Sequence, residues 1–162
     1  MRKSVSLGSL LVGISLLGAV AGATAQEATP IAAAATETFT LVEHAINVTV
    51  VDVGEPGPSA GDITVWGPDP LFDEANEVDT GALTQGSCLA LNGNFDNHCT
   101  ETVVFPDGST LEIQGVQLGN GGPSVTTIVG GSGRYLGATG TVTVTASEND
   151  TLWTKTFEIV LD

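Results

Sequence analysis

Gly130-Gly131-Ser132-Gly133-Arg134-Tyr135-Leu136-Gly137-Ala138-Thr139-Gly140 lies between two runs rich in β-branched residues, 125–129 and 141–146. Five glycines in eleven residues are too many for a helix or a strand interior, where each glycine loses backbone entropy and packs nothing. The segment reads as a tight, irregular connection in which the chain passes close to another part of the molecule and needs a positive φ. With β-type sequence on both sides, it joins strands.

Working outward from it, every other run is also β-type and no helical period appears. Residues 39–53 alternate and are rich in Val, Ile and Thr, which suggests one long strand that bends. Glu55-Pro56-Gly57-Pro58-Ser59-Ala60-Gly61 is a loop by its Pro and Gly content. A short strand follows at 62–66, then an acidic, proline-bearing loop at 67–79. Runs 82–91 and 99–105 flank Asn92-Gly93-Asn94, a hairpin turn, and Pro106-Asp107-Gly108 leads from there into 110–118. Runs 124–129, 141–146 and 152–161 complete the chain, with Glu148-Asn149-Asp150 as the last turn. About eight strands with hairpin-length connections predict an up-and-down antiparallel sheet, and closing it into a barrel removes the exposed edges. A sandwich is the competing architecture. Both faces of the strands carry apolar residues, so parity does not reveal which face lines the interior.

The N-terminus reads as a leader. Arg2 and Lys3 precede an apolar stretch at 7–20, and Ala23-Thr24-Ala25 has the form of a cleavage site, which predicts removal of 1–25. Residues 26–37 are Ala-, Thr- and Pro-rich and are expected to be a flexible lead-in, leaving 38–162 as one domain. The expected location is secreted or otherwise extracytoplasmic. The formal charge of the 162 residues is −15, and removing 1–25 would leave Arg134 and Lys155 against 19 acidic residues. Such a balance excludes nucleic acid, and anionic membranes after cleavage, as partners. In an exported chain Cys88 and Cys99 are expected to form a disulfide, and their symmetric placement about Gly93 and Asn94 suits cross-strand partners. They are not spaced as a C-x-x-C redox pair.

The glycine-rich segment resembles the signature of allene oxide cyclases and dirigent proteins: Gly-Gly-Thr/Ala-Gly, an aromatic residue, then Gly-Ala-x-Gly. Other stretches follow in the same order. Gly61-Asp62-Ile63-Thr64-Val65-Trp66 is similar to the Gly-Asp-hydrophobic run of both groups. Gly81-Ala82-Leu83-Thr84-Gln85-Gly86-Ser87-Cys88 resembles the cyclase Gly-x-x-x-x-Gly-x-Cys, and Asp107-Gly108 with Leu111-Glu112-Ile113-Gln114-Gly115 resembles the family's turn and its strand ending in Gln-Gly. The resemblance implies an eight-stranded antiparallel barrel around a hydrophobic small molecule. In the cyclases this is a fatty-acid epoxide; in dirigent proteins it is a phenoxy radical or quinone methide. It also implies a homotrimer, as in plant relatives, and no cofactor.

Carried over residue by residue, the resemblance is incomplete. The cyclase glutamate of the first strand, which stabilises positive charge, falls on Asn47, which is neutral, and a nearby cyclase asparagine falls on Thr49. Glu43 is an even number of positions from Asn47, hence on the same face of one continuous strand, and is a candidate replacement. Pro56 and Cys88 match the cyclase pattern, while Ala82 stands where dirigent proteins have arginine. Asp69 and Asp73 fall in the acidic loop where dirigent proteins also carry aspartates. Candidate catalytic residues are therefore Glu43 and Asn47, with Thr49, Pro56, Trp66 and Cys88 placed near a ligand.

Other chemistry fits poorly. His44 and His98 are too few for a zinc site, and the 92–103 stretch lacks the glycine and glutamate of a calcium loop, so no metal is expected. No helix follows Gly131-Ser132-Gly133 to support a phosphate site, and there is no nucleophile elbow. Two function classes remain. One is an exported barrel that binds a fatty-acid- or phenolic-like molecule and, as an enzyme, would be an isomerase or cyclase. The other is a structural or interaction protein of the cell envelope whose barrel is filled by its own side chains.

Overall fold

The computed structural model describes residues 34–54, 56–147 and 149–161. The expected leader and the first part of the lead-in lie outside these. Nine strand segments run in order: β1 Ala35–His44, β2 Val48–Val51, β3 Ile63–Phe72, β4 Asp79–Ala90, β5 Asn97–Val104, β6 Thr110–Gln117, β7 Ser124–Ser132, β8 Thr139–Ala146 and β9 Leu152–Leu161. Among the described residues one 3₁₀ turn forms, Gly133–Tyr135, and it separates β7 from β8.

All neighbours are antiparallel, in the order β1-β9-β8-β7-β6-β5-β4-β3-β2, and β1 also pairs with β3 through Val42 and Glu43. That pairing closes the sheet. β1 and β2 are two halves of one first strand, broken at 45–47, so the fold is a closed eight-stranded antiparallel barrel and not a sandwich. The bend expected in the 39–53 run is this break. Beyond it β2 pairs only with β3, and one mouth of the barrel is correspondingly open.

Three expectations are corrected. The loop expected at 67–79 is largely strand, because β3 continues to Phe72 across a register shift between Trp66 and Asp69. Gly67-Pro68, a cis peptide, occupies that shift; proline cannot donate to a ladder and is accommodated where the ladder is interrupted. Only 73–78 remains a turn, held by Asp73 Oδ1, which accepts from the N–H groups of Glu77 (2.8 Å) and Val78 (3.1 Å). The lead-in ends earlier than expected, since Ala35 already pairs with Leu161 and Glu37 with Ile159. The glycine-rich segment is part strand: β7 runs to Ser132, and the irregular connection is 133–138, with Gly133 and Gly137 at φ 60° and 79°.

The hairpin around residues 92–96 forms as expected, with Cys88 directly opposite Cys99 and the two joined by a disulfide. The register also decides which face is the lumen. Phe39, Leu41 and Glu43 of β1 are paired with Phe157, Lys155 and Trp153 of β9, and these point inward together with Leu71, Val103, Leu111, Ile113, Ile128 and Val142.

Candidate functional site

The lumen has an apolar half and a polar half. At the end reached by the 3₁₀ turn it is packed solid: Phe39 stacks on Phe157 with ring centroids 4.8 Å apart, and Phe105 lies 4.9 Å from Tyr135. Leu71, Leu111 and Ile159 fill the remaining space and are inaccessible to water.

Halfway along the barrel the packing gives way to charge. Lys155 of β9 is 2% exposed; its Nζ lies 2.8 Å from Glu43 Oε2 and also bonds Glu101 Oε1. Thr84 Oγ1 donates to the same Glu101 oxygen at 2.6 Å. Asp69, fully buried after the β3 bulge, accepts from the backbone N–H of Asn47 (3.0 Å) and from its Nδ2 (3.1 Å), both at Oδ1. Asp69 Oδ2 has no hydrogen-bond partner among the described residues, and neither does the buried Nε1 of Trp66. Isolated charges would be costly here; Glu43 and Glu101 share the Lys155 ammonium, while Asp69 has only the Asn47 N–H groups. Burial pushes the Glu43 carboxyl above its ordinary range; Lys155 pulls it back, while Glu101 and Asp69 push it up again. Burial alone would depress the Lys155 ammonium, but Glu101 and Glu43 outweigh it and hold the pKa above the usual lysine value.

Above this layer, toward the open mouth, lies a cavity of about 150 Å³. Trp66 and Trp153 form walls, Val48, Ala45 and Thr64 complete the sides, and Glu43 and Lys155 are the floor. Gln117 and Asp150 stand at the rim. Trp66 can lie where it does because position 86, directly opposite on β4, is glycine: a Cβ there would be 2.5 Å from Trp66 Cζ2. A larger groove of about 740 Å³ crosses β3 to β6, but its lining includes outward-facing Val65, Gln85, Ser87, Thr102 and Gln114 and it is open to solvent. The smaller cavity is the better candidate, since its walls are mostly apolar and it holds both members of the buried Glu43–Lys155 pair.

The sequence candidates fare unequally. Glu43 and Trp66 line the cavity. Asn47 does not: the strand breaks at 45–47, so the parity linking it to Glu43 is lost, and the exposed Asn47 instead anchors Asp69. Thr49 is exposed on β2 and Pro56 is exposed in the following loop. Cys88 is buried in its disulfide and is not part of the cavity lining. His44 points away from Glu43, stacks on Phe72 at 4.0 Å and meets Asn76 through Nε2.

Sequence reasoning missed Lys155, Glu101 and Trp153, and it placed Asp69 in an acidic loop instead of the barrel interior. Two of them left a signal. Lys155 has the parity of Trp153, Phe157 and Ile159, and Glu101 that of Cys99, Val103 and Phe105. A charge at the parity of large apolar side chains on facing strands marks a buried pair. Asp69 left no such signal, because the β3 bulge shifts its parity.

The arrangement offers an acid–base group of raised pKa at the bottom of a small aromatic cavity, held in place by a fixed ammonium. Among curated proteins, none matches the chain. Solved structures do. A protein described as pyocyanin demethylase matches with a TM-score of 0.65 at 23% identity, over 76% of this chain and 99% of that one. A pterocarpan synthase dirigent protein matches with a TM-score of 0.66 at 16% identity, over 80% and 87%. A Diels Alderase from Streptomyces koyangensis matches with a TM-score of 0.63 at 17% identity, over 80% and 69%. At these identities they show a shared fold. The family model of the allene oxide cyclase barrel like domain matches residues 42–160, and with the closed barrel described above, the chain belongs to that family.

Proposed function

We propose that this protein is an exported barrel that takes a compact, unsaturated hydrophobic molecule into its tryptophan-walled mouth and guides a cyclisation or isomerisation there. The observation that carries this reading is Glu43, 4% exposed, on the floor of an apolar cavity with its pKa raised by burial. A carboxyl so placed can give or take a proton, or face positive charge that develops as bonds shift. Lys155 positions it. Cavity size narrows the ligand: about 150 Å³ is below the roughly 300–1,000 Å³ of most small-molecule sites and close to an engineered cavity that accepts benzene. One ring or one end of a chain fits, which favours a monocyclic phenolic over a whole fatty acid. The names of similar structures, a dirigent protein and a Diels Alderase, are consistent with ring-forming chemistry.

The alternative, a barrel filled by its own side chains, draws support from the solid apolar half of the lumen. One experiment separates the two. The chain has two tryptophans and both line the cavity, so intrinsic fluorescence reports its occupancy. Saturable quenching by monocyclic phenolics, abolished by Ala45→Phe without loss of thermal stability, supports the binding site. No response to phenolics or to fatty acids moves the conclusion to a structural barrel.

A further inference from the structure

The charges around the cavity do not balance, and we infer that its occupant is a compact organic cation, such as a quaternary ammonium or an N-alkylated aromatic ring. The inference rests on the binding reading above and specifies its ligand class. Three carboxylates, Glu43, Asp69 and Glu101, are buried with a single ammonium, Lys155. Lys155 meets one oxygen of Glu43 and one of Glu101, Thr84 adds to Glu101, and Asn47 serves only Oδ1 of Asp69. Negative valence is left over. Asp69 Oδ2 is buried and unpartnered. Glu43 meets Lys155 through Oε2, and its side chain lines the cavity.

The walls suit the same ligand. Trp66 and Trp153 line the cavity, and indole is the aromatic group that attracts a desolvated cation most strongly. The rim adds Asp150, and the basic group of the lining, Lys155, is already engaged by Glu43 and Glu101. Arg134, the other basic side chain of the described barrel, is engaged at the opposite end with Phe105 and Tyr135. The protein as a whole carries 19 acidic residues against 4 basic ones, so its field draws cations toward the mouth. A neutral ring would be held by the apolar walls alone and leave the surplus to a proton on Glu43, whereas a cation of the same size offsets it directly.

The test compares two molecules of one shape, phenyltrimethylammonium and tert-butylbenzene, by quenching of Trp66 and Trp153. At pH 7 the cation is expected to bind at least tenfold more tightly. Its advantage should shrink as the pH falls and Glu43 takes up a proton, and should be reduced in Glu43→Gln. Equal or tighter binding of tert-butylbenzene overturns the cation class and leaves the cavity reading standing. Binding of neither molecule, nor of the phenolics, overturns both. A preference undiminished by low pH in the wild-type protein, where no variant need fold, removes Glu43 as its source and overturns the assignment.

Discussion

Glu43 Oε2 and Lys155 Nζ meet at 2.8 Å across the seam between the first and last strands, with side chains only 5% and 3% exposed. Their backbones are not directly paired. Leu41 is opposite Lys155 and Trp153 opposite Glu43, so the ion pair is diagonal and both side chains lean along the lumen.

The pH dependence of stability follows from Glu43. Its folded-state pKa is raised above the ordinary 4.5 by burial, so the folded protein holds this proton more tightly than the unfolded chain does. The contribution is fully present below that ordinary value and is lost as pH rises through the raised one. Glu43→Gln mimics the protonated state throughout. The melting temperature of the wild type relative to Glu43→Gln should therefore fall as pH increases from about 4.5 upward. A difference that is flat, or that rises with pH, contradicts the raised pKa.

Removing the cation should be worse than removing the whole network. Lys155→Met leaves Glu43 and Glu101 facing each other without compensation, and breaking one side of a buried pair costs about 3–5 kcal/mol. Adding Glu43→Gln and Glu101→Gln to Lys155→Met should recover part of that loss. Denaturant midpoints of the single and triple variants decide it; a triple variant less stable than Lys155→Met would mean that the carboxylates are held by more than Lys155 and the Thr84 hydroxyl.

Gly86→Ala tests how the tryptophan wall is built. The new Cβ would clash with the Thr100 carbonyl oxygen on β5 and lie 2.5 Å from Trp66 Cζ2 and 2.7 Å from Cη2, so both the strand pairing and the indole must move. A stability loss of about 1–3 kcal/mol, typical of overpacking, should accompany a shift in tryptophan emission. Unchanged emission would show that Trp66 does not rest on position 86.

The Cys88–Cys99 disulfide closes a loop with a sequence separation of 11. On chain-entropy grounds its loss should cost about 2–3 kcal/mol, read as a lower denaturant midpoint in reductant. Because neither cysteine lines the cavity, ligand binding by the reduced but folded protein should be unchanged. A large loss of affinity would place the disulfide in the site.

Much of the barrel was legible in the order of the residues. Strand runs, hairpin turns and the cysteine pairing depend on neighbours close along the chain, and residues 82–105 carry all three. Legibility stopped where the chain departs from regular alternation. The Gly67-Pro68 bulge turned a segment that reads as an acidic loop into a strand and moved Asp69 to the interior. The break at 45–47 separated Asn47 from the face of Glu43.

By itself the sequence determined an acidic, all-β chain with one disulfide and enough short, turn-linked strands to close a barrel, because periodicity, turn chemistry and charge are local or additive properties. Only the tertiary structure decided which face is the lumen, that one half of it is solid, and that Glu43, Glu101 and Lys155 share its centre. The physical reason is closure. Lys155 acquires its carboxylate partners only when β9 pairs with β1 and the register across the remaining strands brings β5 to the opposite wall, and no single strand contains that information.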